Sequence, residues 1–93
     1  MNNQPQMRAV ERSPHYPSVP DEVIGALDRY VNHKIAPGGF LTAVLCNDLR
    51  EACGRADSIN RHILFDIVGF IYNGIPASIW GSPEAVQQHL GAK

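Results

Sequence analysis

The side chains able to do chemistry cluster between Pro37 and His62. Asn47 and Asp48 are the first of them. On a helical wheel the stretch from Phe40 onward gathers Leu41, Val44, Leu45, Leu49, Ala52 and Ala56 on one side. Asp48 falls between Val44 and Leu45, at the edge of that apolar arc. A carboxylate there must be paired, hydrogen-bonded or protonated, because a bare buried charge is costly. The expected partners are the N-terminal N–H groups of another helix, Arg61 or His62. Its ordinary role is to tie helices together, since structural ion-pair networks also recruit acids. Its functional role would be a contact to a ligand or partner.

Arg50, Arg55, Arg61 and His62 surround the next turn, with Glu51 among them and Gly54 in the turn itself. The layout loosely suggests a helix-turn-helix. A DNA reader carries basic residues along its second helix. Here that helix is mostly apolar after His62, and the formal net charge of −1 gives no phosphate-binding footprint. A solvated cluster, or one meeting an acidic protein surface, fits the charge better. Pro37-Gly38-Gly39 precedes a helix start, a place where anions bind. No lysine follows at Walker spacing, so the glycines read as a connector needing positive φ.

His15, His33, His62 and His89 are scattered, with no i, i+4 pair flanking an acid and no C-x-x-C. No metal or cofactor is therefore expected. Cys46 or Cys53 beside a histidine would make a nucleophilic pair. No local signature supports one, and free cysteine is commonly a small core residue. The two cysteines lie two helical turns apart on one expected helix, roughly 10 Å, beyond disulfide reach. They read as reduced thiols of a protein in a reducing, cytoplasmic setting. The N-terminal MNNQPQMR lacks the apolar region of a secretory signal. The apolar runs are too short to span a membrane.

These residues must be carried by a chain of 93, enough for one domain. A domain of this size has a marginal core, which oligomerisation can supplement. Residues 1–17, with prolines at 5, 14 and 17 and no apolar period, read as a flexible tail. The tail has a second reading, as an arm that orders on a partner through Arg12, His15 and Tyr16. Residues 18–93 read as a single helical domain. Ser18 to Asp21 has the form of a capping box, with Pro20 in the first turn. Val23, Ile24, Leu27, Tyr30, Val31 and Ile35 then make a stripe of period 3.6, ending near Lys34 before Pro37-Gly38-Gly39.

The second helix is expected to run about fourteen residues from Phe40, with Ala43, Asn47, Arg50, Glu51 and Gly54 opposite its apolar side. Gly54 suits its left-handed C-cap. Asp57 suits the next N-cap, opening a third helix over residues 58–73. That helix is apolar around roughly two-thirds of its circumference, far wider than a surface stripe. Asn73-Gly74 closes it. Ile75 to Gly81 is a loop rich in apolar residues, so Ile75, Ile79 and Trp80 are expected to fold back on the core. Ser82-Pro83-Glu84 starts a short last helix with contacts at Val86 and Leu90.

The run GGFLTAVLCNDLREACGRAD, followed by GIPASIWGSPEAV, resembles short proteins carried by bacteriophages and prophages. The pattern is a proline-glycine-glycine turn, FLxAVLxNDL, an AD pair, and GSPE before a last short helix; it covers about Ile35 to Leu90. The resemblance carries no chemistry, so no functional residue transfers. It implies a genetic setting in which small proteins bind a host protein to block or redirect it, sometimes a defence system.

The expected architecture is all-α: three main helices and a short C-terminal fourth behind an N-terminal tail. The expected function is non-enzymatic binding of a host protein, through Asn47, Asp48, Arg50, Glu51, Arg55, Arg61 and His62. Self-association as a homodimer follows from the wide apolar arc of the third helix. Two alternatives stand beside it. One is a small DNA-binding transcriptional regulator. The other is a binder that sequesters a small anionic or nucleotide ligand at a subunit interface.

Overall fold

The stripe of the first helix becomes α1, Asp21–His33, whose Val23, Ile24, Leu27, Tyr30 and Val31 are all buried. The structure, a computed structural model, describes residues 9–91. Those residues hold helices and no strand, so the all-α expectation stands. The element order continues with α2 (Gly39–Leu45), α3 (Leu49–Arg55), α4 (Ser58–His62), α5 (Leu64–Gly74), a 3-10 turn (Ala77–Ile79) and α6 (Pro83–Gly91). Two of the three main helices are thus each split in two.

The first split corrects the fourteen-residue second helix. The chain leaves α2 through Cys46, takes Asn47 into the left-handed region at φ 62, and restarts at Asp48. Asparagine tolerates that region better than other side chains. Asp48 then caps α3 by accepting from the Glu51 amide at 3.2 Å. Local side-chain bonding by Asn and Asp competes with helix continuation, and here it wins. The extra turn shifts the helical phase. Leu49, beyond the break and expected in the core, is 67 % exposed; Ala43, ahead of the break and expected to face out, is also buried.

The second split, at Ile63 (φ −117, ψ 15), has no glycine or proline to mark it. Beyond it, Ile67, Phe70 and Ile71 enter the core, while Phe65 and Tyr72 point outward. Ile35, expected to continue the α1 stripe, lies past the αL cap at Lys34 and is half exposed.

Several expected caps are also replaced. Ser18 does not cap α1; its hydroxyl donates to Asp66 at 2.8 Å, and the extended Pro20 precedes the helix. Gly54 lies inside α3, which ends at an extended Ala56. Gly74 is the last residue of α5, before an extended Ile75. Gly38 is extended at φ −66, so the Pro37-Gly38-Gly39 connector needs no positive φ. Among the described glycines Gly81 has one, φ 104, and its amide donates to the Leu45 carbonyl at 2.6 Å. A side chain would strain that backbone. Asp57 and Ser82 cap as expected, accepting from the Asn60 amide at 2.7 Å and the Ala85 amide at 3.1 Å.

The core joins α1, α2, the buried side of α5, Ala52 of α3 and Val86 of α6. Each fully buried Leu or Ile, such as Leu27, Leu45, Ile67 and Ile71, contributes roughly 1.5–3 kcal/mol. The loop after α5 folds back as expected: Ile75 is buried, and Ile79 and Trp80 pack on the core. Tyr30, fully buried, holds this loop by donating from its hydroxyl to the Ile79 carbonyl at 2.6 Å.

Of the expected tail, residues 1–8 lie outside the described residues. Residues 10–19 form a strap over α1 and α5. The Val10 amide donates to Asp28 at 2.9 Å, and Arg12 bonds Asp21 at 2.6 Å and the Pro17 carbonyl at 3.0 Å. Tyr16 stands edge-on to Phe70, and its hydroxyl accepts from Asn73 at 2.9 Å. Val19 is fully buried.

Candidate functional site

The seven residues expected at the contact edge all lie on the surface, on two short helices and their leading turns. Asn47, Asp48, Arg50, Glu51, Arg55, Arg61 and His62 are each exposed. Asp48 is not a buried acid on an apolar flank. Its need for a partner is met by the N-terminus of the helix that it starts. Arg55 reaches back one turn to Glu51, Nε to Oε1 at 2.8 Å. A Cβ at Gly39 would sit 3.0 Å from its guanidinium, so the Arg55 side chain also lies over the start of α2. Arg61 approaches the Ala56 carbonyl at 3.5 Å.

The edge is mixed in charge rather than basic. Asp48, Glu51 and Asp57 alternate with Arg50, Arg55 and Arg61 along α3, α4 and their caps. An ion pair as exposed as Arg55–Glu51 contributes little to stability, about 0–1 kcal/mol. Both guanidinium and carboxylate remain open to a partner. Leu49 of α3 and Ile59 of α4 are 67 % and 65 % exposed, and Leu49 borders a small hollow with Leu64, Val68 and Trp80. Exposed Leu49 was hidden from the sequence by the phase error described above; Ile59 by the wide apolar arc assigned to the core.

Beside the edge is an open cleft of about 400 Å³, lined by Pro37, Gly39, Thr42, Ala43, Cys46, Asp48, Glu51, Arg55 and Pro83. Its one guanidinium is already engaged by Glu51, and Asp48 adds a second carboxylate. That balance is poor for an anion. The Cys46 thiol at its wall is pushed up by burial, then by Asp48 and Glu84. A thiol so shifted is a weak nucleophile at neutral pH. No histidine lines the cleft. Both cysteines are free.

Away from the edge and the cleft, one histidine serves the fold. His89, unassigned from the sequence, donates from Nε2 to the Tyr30 carbonyl at 2.7 Å, with its ring 4.7 Å from the Tyr30 ring. The short amphipathic spacing of α6 was the available signal. Trp80 keeps its indole N–H buried without an acceptor. No group of three His, Cys, Asp or Glu side chains among the described residues is placed to hold a metal ion. No helix among them is long and apolar enough to cross a membrane.

A second exposed feature lies on α5. Phe65, Val68, Gly69 and Tyr72 share the side of the helix opposite Ile67, Phe70 and Ile71, at the same i, i+3, i+4, i+7 spacing. Phe65 is 89 % and Tyr72 75 % exposed. Such a stripe of aromatics left in water marks an interaction surface more often than a tolerated accident. The chain matches no protein-family model, no curated protein and no solved structure.

Proposed function

We propose that this protein is a non-enzymatic binding domain that acts by contact with another protein, and that it also associates with itself as a homodimer. The observation that carries the reading is the α3–α4 edge. Leu49 and Ile59 stand exposed on the same two short helices and leading turns that carry Asn47, Asp48, Arg50, Glu51, Arg55, Arg61 and His62. Exposed apolar side chains interspersed with arginines and mixed charges suit a protein–protein contact. Arginine is among the residues enriched at interface hot spots once desolvated. In this reading, for which the support is the sequence resemblance to phage-borne proteins, the partner is a protein of a bacterial host, met in its cytoplasm and blocked or redirected by the contact.

The two alternatives draw less support. A DNA reader needs a basic helix for the groove; α4 is only five residues long, and α5 carries no lysine or arginine. A sequestered anion would meet two carboxylates beside the cleft's one guanidinium.

Affinity capture from host lysate, read by mass spectrometry, tests the reading. Wild type is expected to retain a specific host protein that Leu49→Asp with Ile59→Asp releases. Loss of capture with Arg50→Glu and Arg55→Glu would add the arginines to the contact. A partner held equally by all three proteins sinks the assignment of this edge. Retention of duplex DNA at moderate salt instead would favour the regulator.

A further inference from the structure

We infer that Asn73-Gly74 is a site of spontaneous deamidation, and that the strap sets its rate through Tyr16. The sequence puts a side-chain carboxamide directly before the backbone nitrogen of a glycine. With no Cβ on Gly74, that nitrogen is unhindered and its backbone is free to turn. The reaction is intramolecular. The Gly74 N–H gives its proton to a solvent base, the nitrogen bonds Cγ of Asn73, and the Cγ–Nδ2 bond breaks. Ammonia leaves, having taken a proton from solvent. The cyclic imide then adds water. Opening at the Cγ carbonyl restores the main chain with aspartate at position 73; opening at the main-chain carbonyl leaves a β-linked aspartate. Either way one amide and one water become one carboxylic acid and one ammonia.

The fold does not need this glycine. Gly74 ends α5 outside the left-handed region. A Cβ there would meet nothing within 4 Å, and alanine is the better helix former. Asn73 and Gly74 are both exposed. They border an open hollow of about 240 Å³ shared with Glu11, Ser13 and Tyr16 of the strap, so water reaches the reacting atoms. What holds the reaction back is geometry. The Asn73 Nδ2 donates to the Gly69 carbonyl and to the Tyr16 hydroxyl, both at 2.9 Å. A helical side chain lies over the turn before it, and these two bonds keep the carboxamide there, away from the Gly74 nitrogen that must attack it. The Tyr16 ring is itself seated edge-on to Phe70, so the strap fixes the hydroxyl in place. Attack requires the carboxamide to leave both partners and the last turn of α5 to open, which a helix end does more readily than the core. The product puts a negative charge at the C-terminal end of α5, where the helix dipole opposes it, and has no proton to give to the Gly69 carbonyl.

Peptide mapping by mass spectrometry of the full chain, incubated at mildly alkaline pH, tests the proposal. Unfolded in urea, the chain is expected to deamidate at Asn73 ahead of Asn47 and Asn60, which precede Asp48 and Arg61. The folded wild type should react at Asn73 well below that unguarded rate. Tyr16→Phe keeps the ring and removes the hydroxyl, and is expected to raise the folded rate roughly two- to tenfold, the effect of one ordinary hydrogen bond on the open population. Gly74→Ala should suppress the reaction while circular dichroism shows the helices intact. A folded wild type that reacts as fast as the unfolded chain, or a Tyr16→Phe rate equal to wild type, overturns control by the strap. Absence of deamidation at Asn73 in the Tyr16→Phe chain overturns the site. Deamidation that persists undiminished in Gly74→Ala overturns the route through the Gly74 nitrogen.

Discussion

Tyr16 lies so close over Gly69 that a Cβ at that position would sit 2.7 Å from Cε1 of the tyrosine ring. The ring has little room to retreat. Phe70 meets it edge-on, with centroids 6.5 Å apart, and Asn73 donates to its hydroxyl. The strap and α5 are therefore fitted to each other through a missing side chain. Gly69→Ala is expected to lower stability by about 1 kcal/mol although alanine is the better helix former. With Tyr16→Ala already present, the same change should become stabilising by up to about 1 kcal/mol. A double-mutant cycle in urea reads this reversal of sign. Additive effects would mean that the strap does not press on α5.

The break between α2 and α3 depends on two adjacent residues with different tasks. Asn47 supplies the left-handed backbone and Asp48 the cap. Asn47→Gly should be tolerated, whereas Asn47→Val should cost roughly 1–2 kcal/mol because a β-branched residue resists positive φ. Asp48→Ala should cost about 1 kcal/mol through the lost cap. Thermal melts of the three variants would check the ranking. A stabilising Asn47→Val would mean that the chain prefers one long helix.

Tyr30 fastens the returning loop from inside the core. Its hydroxyl proton is held to about pH 12, against an ordinary 10.0, by burial first and then by the neighbouring Cys46. Below pH 10 folded and unfolded chains both keep this proton. Between about pH 10 and about pH 12 the unfolded chain releases it and the folded chain does not. Stability should therefore fall as pH rises through that window. Tyr30→Phe should remove that slope, at a cost near neutrality of about 1–3 kcal/mol for the Ile79 carbonyl left without its donor. Urea titrations at a series of alkaline pH values measure both.

Acid should release the start of the strap. The Val10 amide, and after it the Asn32 side chain, hold the Asp28 carboxyl below its ordinary 3.8. A lowered acid stabilises the fold above its unfolded value and loses that contribution as pH falls through the folded one. Protection of the Val10 amide, taken relative to its intrinsic exchange rate at each pH, should thus be high at neutral pH and fall in acid below the ordinary 3.8. Asp28→Ala should expose the amide already at neutral pH. Protection that is indifferent to both acid and substitution would mean that the amide is shielded by something other than Asp28.

The sequence by itself determined the helical class, the α1 stripe, the Asp57 and Ser82 caps, and the return of Ile75, Ile79 and Trp80 to the core. All of these follow from local periodicity or from a side chain bonding its own backbone. It also held an overlooked signal for the α2–α3 break. Asp48 and Glu51 have the D-x-x-E spacing of a helix start, directly after an asparagine suited to positive φ. What only the tertiary structure decided is which apolar residues stay in water. The periodicity of α5 presents two apolar sides, and one small core can cover only one of them. Ile67, Phe70 and Ile71 are buried because α1 and α2 lie there, and Phe65 and Tyr72 are left to solvent. The strap was likewise beyond the sequence, since Ser18 finds Asp66, and Tyr16 finds Gly69 and Asn73, across dozens of residues that no local pattern spans.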